Sequence, residues 1–565
     1  MRYLFVLLLL AAIATAGVYF ASPTNEEREE GPPSPQMGGI YNAFLAEDPP
    51  TLDPAVVEDT TSVSCVLQLF DTLVRFGEGN RLVPSLAKKW EISEDQKTYT
   101  FELRRNIHFH QQFGDGRPTK NGGREVTAQD FVYSFQRVLD PKTNSPRSML
   151  FQLVEGAKDF VDGKAKNISG LRAAGKYVLH ISLTKPFAPF LATLTMPNTS
   201  VVPKEDVEGD KGFAKWPVGT GPFIFKSYTQ GKEVVFSANT TYFAGRPYLD
   251  ELRFVIDPDE ETMFRLFLSG KVFHTTVPDP EYIRTRTSTK WAPYFTEVSQ
   301  LGTFYIGMNV RHKPFDNEKV RRAISMAVDK EAIVKYIRAG RVHRAKGPLP
   351  PGIPGYNTAL HVPPFDPDGA ERILDEAGFK RSEPDGPRVD FPAVQLYIPR
   401  GESDMRVARA IQSNLADIGV SCVPLATEWR QHLSLVNSGK APFFRLGWVA
   451  DYLDADNFLY YEFHSSNIGV SNSCHYKNVR VDELLDAARG TTDGKRRKEL
   501  YQEAEQLIAN DCVWICLYYY NAALVRQPFV HGLNLTPLGD HMIRFDRVWL
   551  EDVTAQKRRL APSND

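Results

Sequence analysis

The sequence has 565 residues, 42% hydrophobic and 24% charged, and at roughly 100–200 residues per domain this allows about three to five domains or two large lobes of ordinary globular composition. A net charge of −2 excludes any general electrostatic pull toward nucleic acid or anionic lipid, and nothing resembles a basic arm. Aromatic residues (23 Tyr, 35 Phe and 7 Trp) are plentiful enough to wall a binding pocket.

At the N-terminus, Arg2 precedes an uncharged apolar run over residues 3–21 that ends near a small Ala14-Thr15-Ala16 step. This suits a cleaved signal peptide, and the run is also long enough to remain as a membrane anchor; either way the body of the protein is exported. The segment contains no cysteine for lipid attachment. Residues 22–37 are charged and rich in Pro and Gly, the composition of a disordered tether. Five cysteines follow, Cys65, Cys422, Cys474, Cys512 and Cys516, so at least one thiol stays unpaired within the chain, and their spacing fits no zinc pattern.

Strands and helices then interleave. Thr98–Leu103 alternates polar and apolar residues, as does 176–183, so both are expected to be half-buried strands. Thr127 and Asp130 form a capping-box signature ahead of Phe131, Phe135 and Val138 at helical spacing. Further on, Asp316 is expected to cap a helix with Val320, Ile324 and Val328 inward, and Asp329 to cap the next. Val407, Ile411, Leu415 and Ile418 make another apolar stripe, as do Leu500, Ala504 and Leu507. The run at 513–520 is a short strand, and 347–356 is a Pro-rich extended loop. The pattern predicts α/β lobes with largely covered sheets.

The common enzyme signatures G-x-S-x-G, H-E-x-x-H and G-x-x-x-x-G-K-[ST] are absent. Gly219-Thr220-Gly221 opens like a dinucleotide fingerprint, but Ile224 stands where the third glycine would be and Pro222 has no N–H for a phosphate, so a tight turn is expected. His108 and His110 would share a strand face but have no identifiable third metal ligand; a sheet edge is the simpler reading.

The segment GWVADYLDADNF, residues 447–458, sets three acids among aromatic rings. Read from Asp454, a calcium loop would need Gly and Glu where Leu459 and Ser465 stand. A paired-carboxylate hydrolase has only weak support, and Asp454 or Asp456 is expected simply to start a short helix. Asp451 differs. It follows the apolar run 443–448 beside Trp448 and Tyr452, so it is partly desolvated and calls for a positive or hydrogen-bonding partner. A ligand ammonium at a strand end would serve, and a salt bridge to Arg445 is the structural alternative.

Several segments, in order, carry a resemblance: DPPTLDP at 48–54, the stretch from TFELRRNIHFH to VLDP, GTGPF, FYIGMNVRHKPFDNEKVRRAISMAVDKEAIV, EWRQHL, GWVADYLDADNF, and HYKNVRVDELL to YYYNAALV. Over about 38–550 the chain resembles the peptide- and nickel-binding solute-binding proteins of bacterial ABC importers, closest to their oligopeptide-binding branch. The resemblance implies a two-lobed periplasmic-binding-protein fold of α/β class with an additional α/β domain. Lobe I would be 38–70, 205–300 and 522–565, the additional domain 71–204, and lobe II 301–521. It implies a monomeric periplasmic binder, not an enzyme and without a cofactor, that delivers peptide to an inner-membrane permease driven by a cytoplasmic ATPase. By motif, Asp451 would hold the peptide ammonium, Trp448 and Trp429 would line the site, Arg445 would meet a C-terminal carboxylate, and Tyr520 or Tyr519 would approach the ligand. Segment 396–410 lacks the histidine with which some relatives handle longer peptides, and the turn at 108–127 is expanded away from the cleft. Other readings are a nickel chelate, haem or an oligosaccharide as solute, and a membrane-tethered sensor.

Overall fold

The computed structural model describes residues 34–77, 81–209, 212–257 and 259–552. The signal or anchor at 3–21 lies outside these, as does most of the tether; residues 34–37 are irregular and exposed.

Three sheets organise the molecule. The first has four strands in the order Ile40–Leu45, Glu251–Ile256, Glu233–Ala238, Phe223–Thr229, the outer pair on the Ile40 side parallel and the rest antiparallel. Tyr41, Ala43 and Leu45 alternate inward as the pleat requires and meet Phe225, Phe236 and Phe254. The helix Thr60–Leu69, capped by Asp59 accepting from Ser62 N (2.9 Å), packs beside this sheet. Gly219 and Gly221 pass over its end so closely that a Cβ would come within 2.1 and 2.4 Å of Leu69 backbone atoms. The glycines are there for this close approach and not for a phosphate. His110 is locked to the same segment, accepting from Gly219 N at Nδ1 (3.3 Å) and donating from Nε2 to Gly221 O (3.0 Å), while His108 bonds Gly123 O. Burial lowers the His110 imidazole to about 4, so it is neutral.

The second sheet is antiparallel: Ala87–Ile92, Thr98–Leu103, Val178–Ser182, Leu171–Ala173. The helix Ala128–Leu139 covers it, opened by the Thr127–Asp130 capping box and burying Phe131, Phe135 and Val138. Tyr452 and Tyr461, far away in sequence, complete this core.

The third sheet has seven strands. Six follow the order His274–Thr276, Trp514–Arg526, Phe295–Met308, Phe443–Val449, Val394–Pro399, Cys422–Thr427, with His343–Arg344 paired off this path. Its central pair is longer than the run at 513–520 suggests. Trp514–Arg526 and Phe295–Met308 pair over most of their length, with a break in register between Ser299 and Thr303. Their two ends belong to different cores: Leu524 joins Tyr41 and Phe254, whereas Ile515 and Leu517 join Ile306, Ile324 and Ile411. The helix expected after Asp316 is Glu318–Ala327, and its cap is Asn317, whose side chain accepts from Lys319 N; Asp329 caps the following turn. On Gly494–Asp511 the inward residue of the last turn is Ile508, with Leu507 half-buried. All five cysteines are free and buried.

Candidate functional site

The Phe443–Val449 strand runs between the two long central strands and Val394–Pro399. Phe443 and Phe444 anchor its start in the core. Gly447 leaves room for a ring: a Cβ there would lie 2.1 Å from Tyr520 Oη. The strand stops at Val449, where Ala450 N bonds Leu301 O (2.8 Å), and the chain then turns to bring Asp451 round to the cleft. Arg445 and Asp451 are therefore not neighbours on one strand face, and the salt bridge considered between them does not form. Arg445 Nε instead meets Asp404 Oδ1 at 2.8 Å, and its guanidinium lies over the Phe304 ring at 4.4 Å.

Asp451, Trp448, Trp429, Arg445 and Tyr520 all line one cavity of about 300 Å³. Tyr519, the other tyrosine considered, is buried, and its Oη accepts from Lys346 N and Gly347 N (3.1 and 3.2 Å), which leaves Tyr520 on the wall. Trp429 opens the helix Trp429–Asn437 and stacks on His432 with rings 5.9 Å apart. His432 is held neutral by burial, at about 4, and is fixed by its Nε2 contact to Arg445 O (2.7 Å).

Asp451 keeps a quarter of its side chain exposed. Asn457 positions it: Asp451 N donates to Asn457 Oδ1 (3.0 Å), and Asn457 Nδ2 donates to Asp451 Oδ2 (3.2 Å). Trp448 Nε1 donates to the same Asn457 Oδ1 (3.1 Å), so one amide sets both the acid and the ring. The sequence reading passed over Asn457, whose only signal was its place six residues after Asp451. It also passed over Glu462 on the next helix, and Arg147, Glu58 and His541, which line the cavity from distant segments. Burial pushes the Glu462 carboxyl well up; Tyr305 Oη lies 3.3 Å from its Oε2.

Asp454 and Asp456 stand at the start of the helix Asp456–Phe463, where Asp454 Oδ1 accepts from Asp456 N (2.9 Å). They do more than start it. Asp454 takes a bidentate bond from Arg497, 2.7 Å to each oxygen, and Asp456, fully buried, meets Arg489 Nε (2.9 Å) and Tyr452 Oη (2.9 Å). With both acids consumed internally, Asp451 is the one of the three on the cavity wall.

A second chamber of about 660 Å³ shares Thr60, Trp429 and Arg445 with the first. Arg445 lines both chambers, and its partner Asp404 lines the second. Among the described residues no group of three or more His, Cys, Asp or Glu could hold a metal ion. A partly desolvated carboxylate beside aromatic faces can hold a cationic group.

Comparison with known proteins gives a consistent picture. The family model described as "Bacterial extracellular solute-binding proteins, family 5 Middle" matches residues 81–470. The chain is 31% identical over 542 residues to heme-binding protein A of Haemophilus influenzae, covering 94% of this chain and 96% of that one. It is 30% identical to the dipeptide-binding protein of Escherichia coli, covering 87% and 91%. A periplasmic binding protein from Helicobacter pylori, solved in complex with the peptide STSA, superposes with a TM-score of 0.80 at 28% identity, covering 91% of this chain and 99% of that one.

Proposed function

The chain belongs to the bacterial extracellular solute-binding proteins of family 5, and from that premise we propose that it captures peptides in the cleft and delivers them to an inner-membrane ABC permease powered by a cytoplasmic ATPase. The observation that carries this reading is Asp451: an ionisable side chain oriented by Asn457, flanked by Trp448, and turned into a cavity that Trp429 and Tyr520 help to wall. A peptide ammonium is the cation such a site suits, and main-chain pairing would hold the rest of the ligand while water-filled pockets accept varied side chains. The peptide-binding names of the Escherichia coli and Helicobacter pylori relatives support the same solute class.

The protein works as a periplasmic monomer, exported through residues 3–21. We assign 38–70, 205–300 and 522–565 to lobe I, 71–204 to the additional domain and 301–521 to lobe II. The register break between Ser299 and Thr303 supports a hinge at the lobe boundary. Arg445 meets the far end of a short ligand once Asp404 releases it.

Calorimetry with tripeptides tests the reading. N-acetylation and Asp451→Ala should each cost about 1.5–3 kcal/mol, roughly ten- to a hundred-fold in Kd. Equal affinity for free and acetylated peptides would remove the role given to Asp451. A haem titration that saturates at one equivalent, with no peptide binding, would replace the peptide by the solute named for the Haemophilus relative.

A further inference from the structure

Arg147 is a further cation on the wall of the cavity, beside Asp451. It comes from the additional domain, just before the turn Ser148–Phe151, and its side chain is 6% exposed. The guanidinium is held by rings, 5.2 Å from the Trp448 centroid and 5.7 Å from that of Tyr461. Its hydrogen bonds are not made. Among the described residues no protein acceptor takes a bond from it, and its Nε is buried without a partner. The nearest carboxylate oxygen, Asp451 Oδ2, is 3.9 Å from Nη2, too far for a hydrogen bond.

The other acids of the wall do not repair this. Burial drives the Glu462 carboxyl toward its neutral form and also raises that of Glu58. Arg147 itself stays charged: burial works against it, but Asp451 beside it is the main group that holds it above its ordinary range. A buried, charged, fork-shaped donor with open N–H groups facing a ligand cavity is a receptor for a planar anion. A structural arginine would be paired, as Arg489 and Arg497 are with Asp456 and Asp454.

We propose that Arg147 is an anion-binding residue of the cleft, and that the preferred peptide carries a carboxylate close to its free ammonium. The inference rests on the peptide reading above and names the ligand class within it. Because Asp451 and Arg147 stand side by side, the two groups they take must belong to the same residue of the ligand. The C-terminal carboxylate of an extended tripeptide is too far from its ammonium to reach both. Two sources meet the requirement: a first residue with an acidic side chain, or a first residue joined through its side chain so that its α-carboxylate stays free beside its α-ammonium.

Three peptides of equal length decide it by calorimetry: Glu-Ala-Ala, its γ-linked isomer and Gln-Ala-Ala. The wild-type protein should bind at least one of the two carboxylate-bearing peptides about tenfold or more tighter than Gln-Ala-Ala, and the tighter of the two identifies the source. Arg147→Gln should abolish that preference, and Arg147→Lys should keep part of it. Melting curves of the unliganded variants establish that they fold; if Arg147→Gln does not, the wild-type series and Arg147→Lys still decide. Equal binding of all three peptides by the wild type, or a preference that survives in Arg147→Gln, overturns the inference and leaves the peptide reading standing. Failure of all three to bind overturns both.

Discussion

Three aspartates within six positions have three different fates, and burial with partner supply separates them. Asp456 is wholly enclosed, and its charge is met by Arg489 and Tyr452. Burial is the largest influence on its carboxyl and raises it, with Arg489 acting in the opposite sense. Removing one member of such a pair strands the other, at a cost of about 3–5 kcal/mol. Asp456→Ala should therefore lower the urea midpoint by that amount of stability; a loss below about 1 kcal/mol would mean that water reaches Arg489 and that the pair is not closed. Asp451, by contrast, is positioned by a neutral amide and keeps solvent access, so its replacement should cost less stability than that of Asp456 and act chiefly on the ligand.

At the level of elements, the cleft wall is a strand made thin at one point. Gly447 and Tyr520 occupy what would otherwise be one volume, since a Cβ at 447 would collide with the tyrosine hydroxyl. Gly447→Ala should push the Tyr520 ring off its place and weaken peptide binding by about tenfold, with a change in melting temperature of only a few degrees; unchanged affinity would show that Tyr520 does not touch the ligand. Such strands were legible in the sequence because alternation and apolar runs report directly on burial. Thr98–Leu103 and the core of 443–448 could be read that way, as could the Thr127–Asp130 box. The partners of the acids could not. Arg489 and Arg497 reach Asp456 and Asp454 from helices tens of residues onward, Asp404 reaches Arg445 from another helix, and Arg147 arrives from a segment far earlier in the chain. No local pattern encodes those meetings. Motif order placed all five chosen side chains on one wall, yet it gave no hint that Arg445 already has an internal acid or that a second cation lies beside Asp451.

For the whole molecule, segments far apart in the chain touch across the cleft: Arg430 donates to Pro50 O (3.0 Å), and Asn437 Nδ2 approaches Glu58 (3.4 Å). Arg338 and Arg341 likewise reach the buried Asp279 (2.7 and 3.2 Å), and polar contacts of this kind suit a closure that ligand stabilises and loss of ligand reverses. The packed cores behind them are tighter. Burial keeps the thiols in their protonated form, raising Cys512 to about 11 and Cys422 and Cys516 to about 12. A thiol-reactive dye should label none of the five cysteines in the native protein and all five in guanidinium; fast labelling of the native protein would show that these cores open. The first sheet has a further consequence for how the chain matures. Its core needs Phe545, Val548 and Leu550 beside Tyr41, and Gln68 donates to Ile543 O across 475 positions. A nascent chain emerging from the ribosome cannot seal that core until nearly all of it has been synthesised. Delayed self-closure of this kind keeps the early segments threadable, which is the state in which an exported polypeptide must meet the translocation pore.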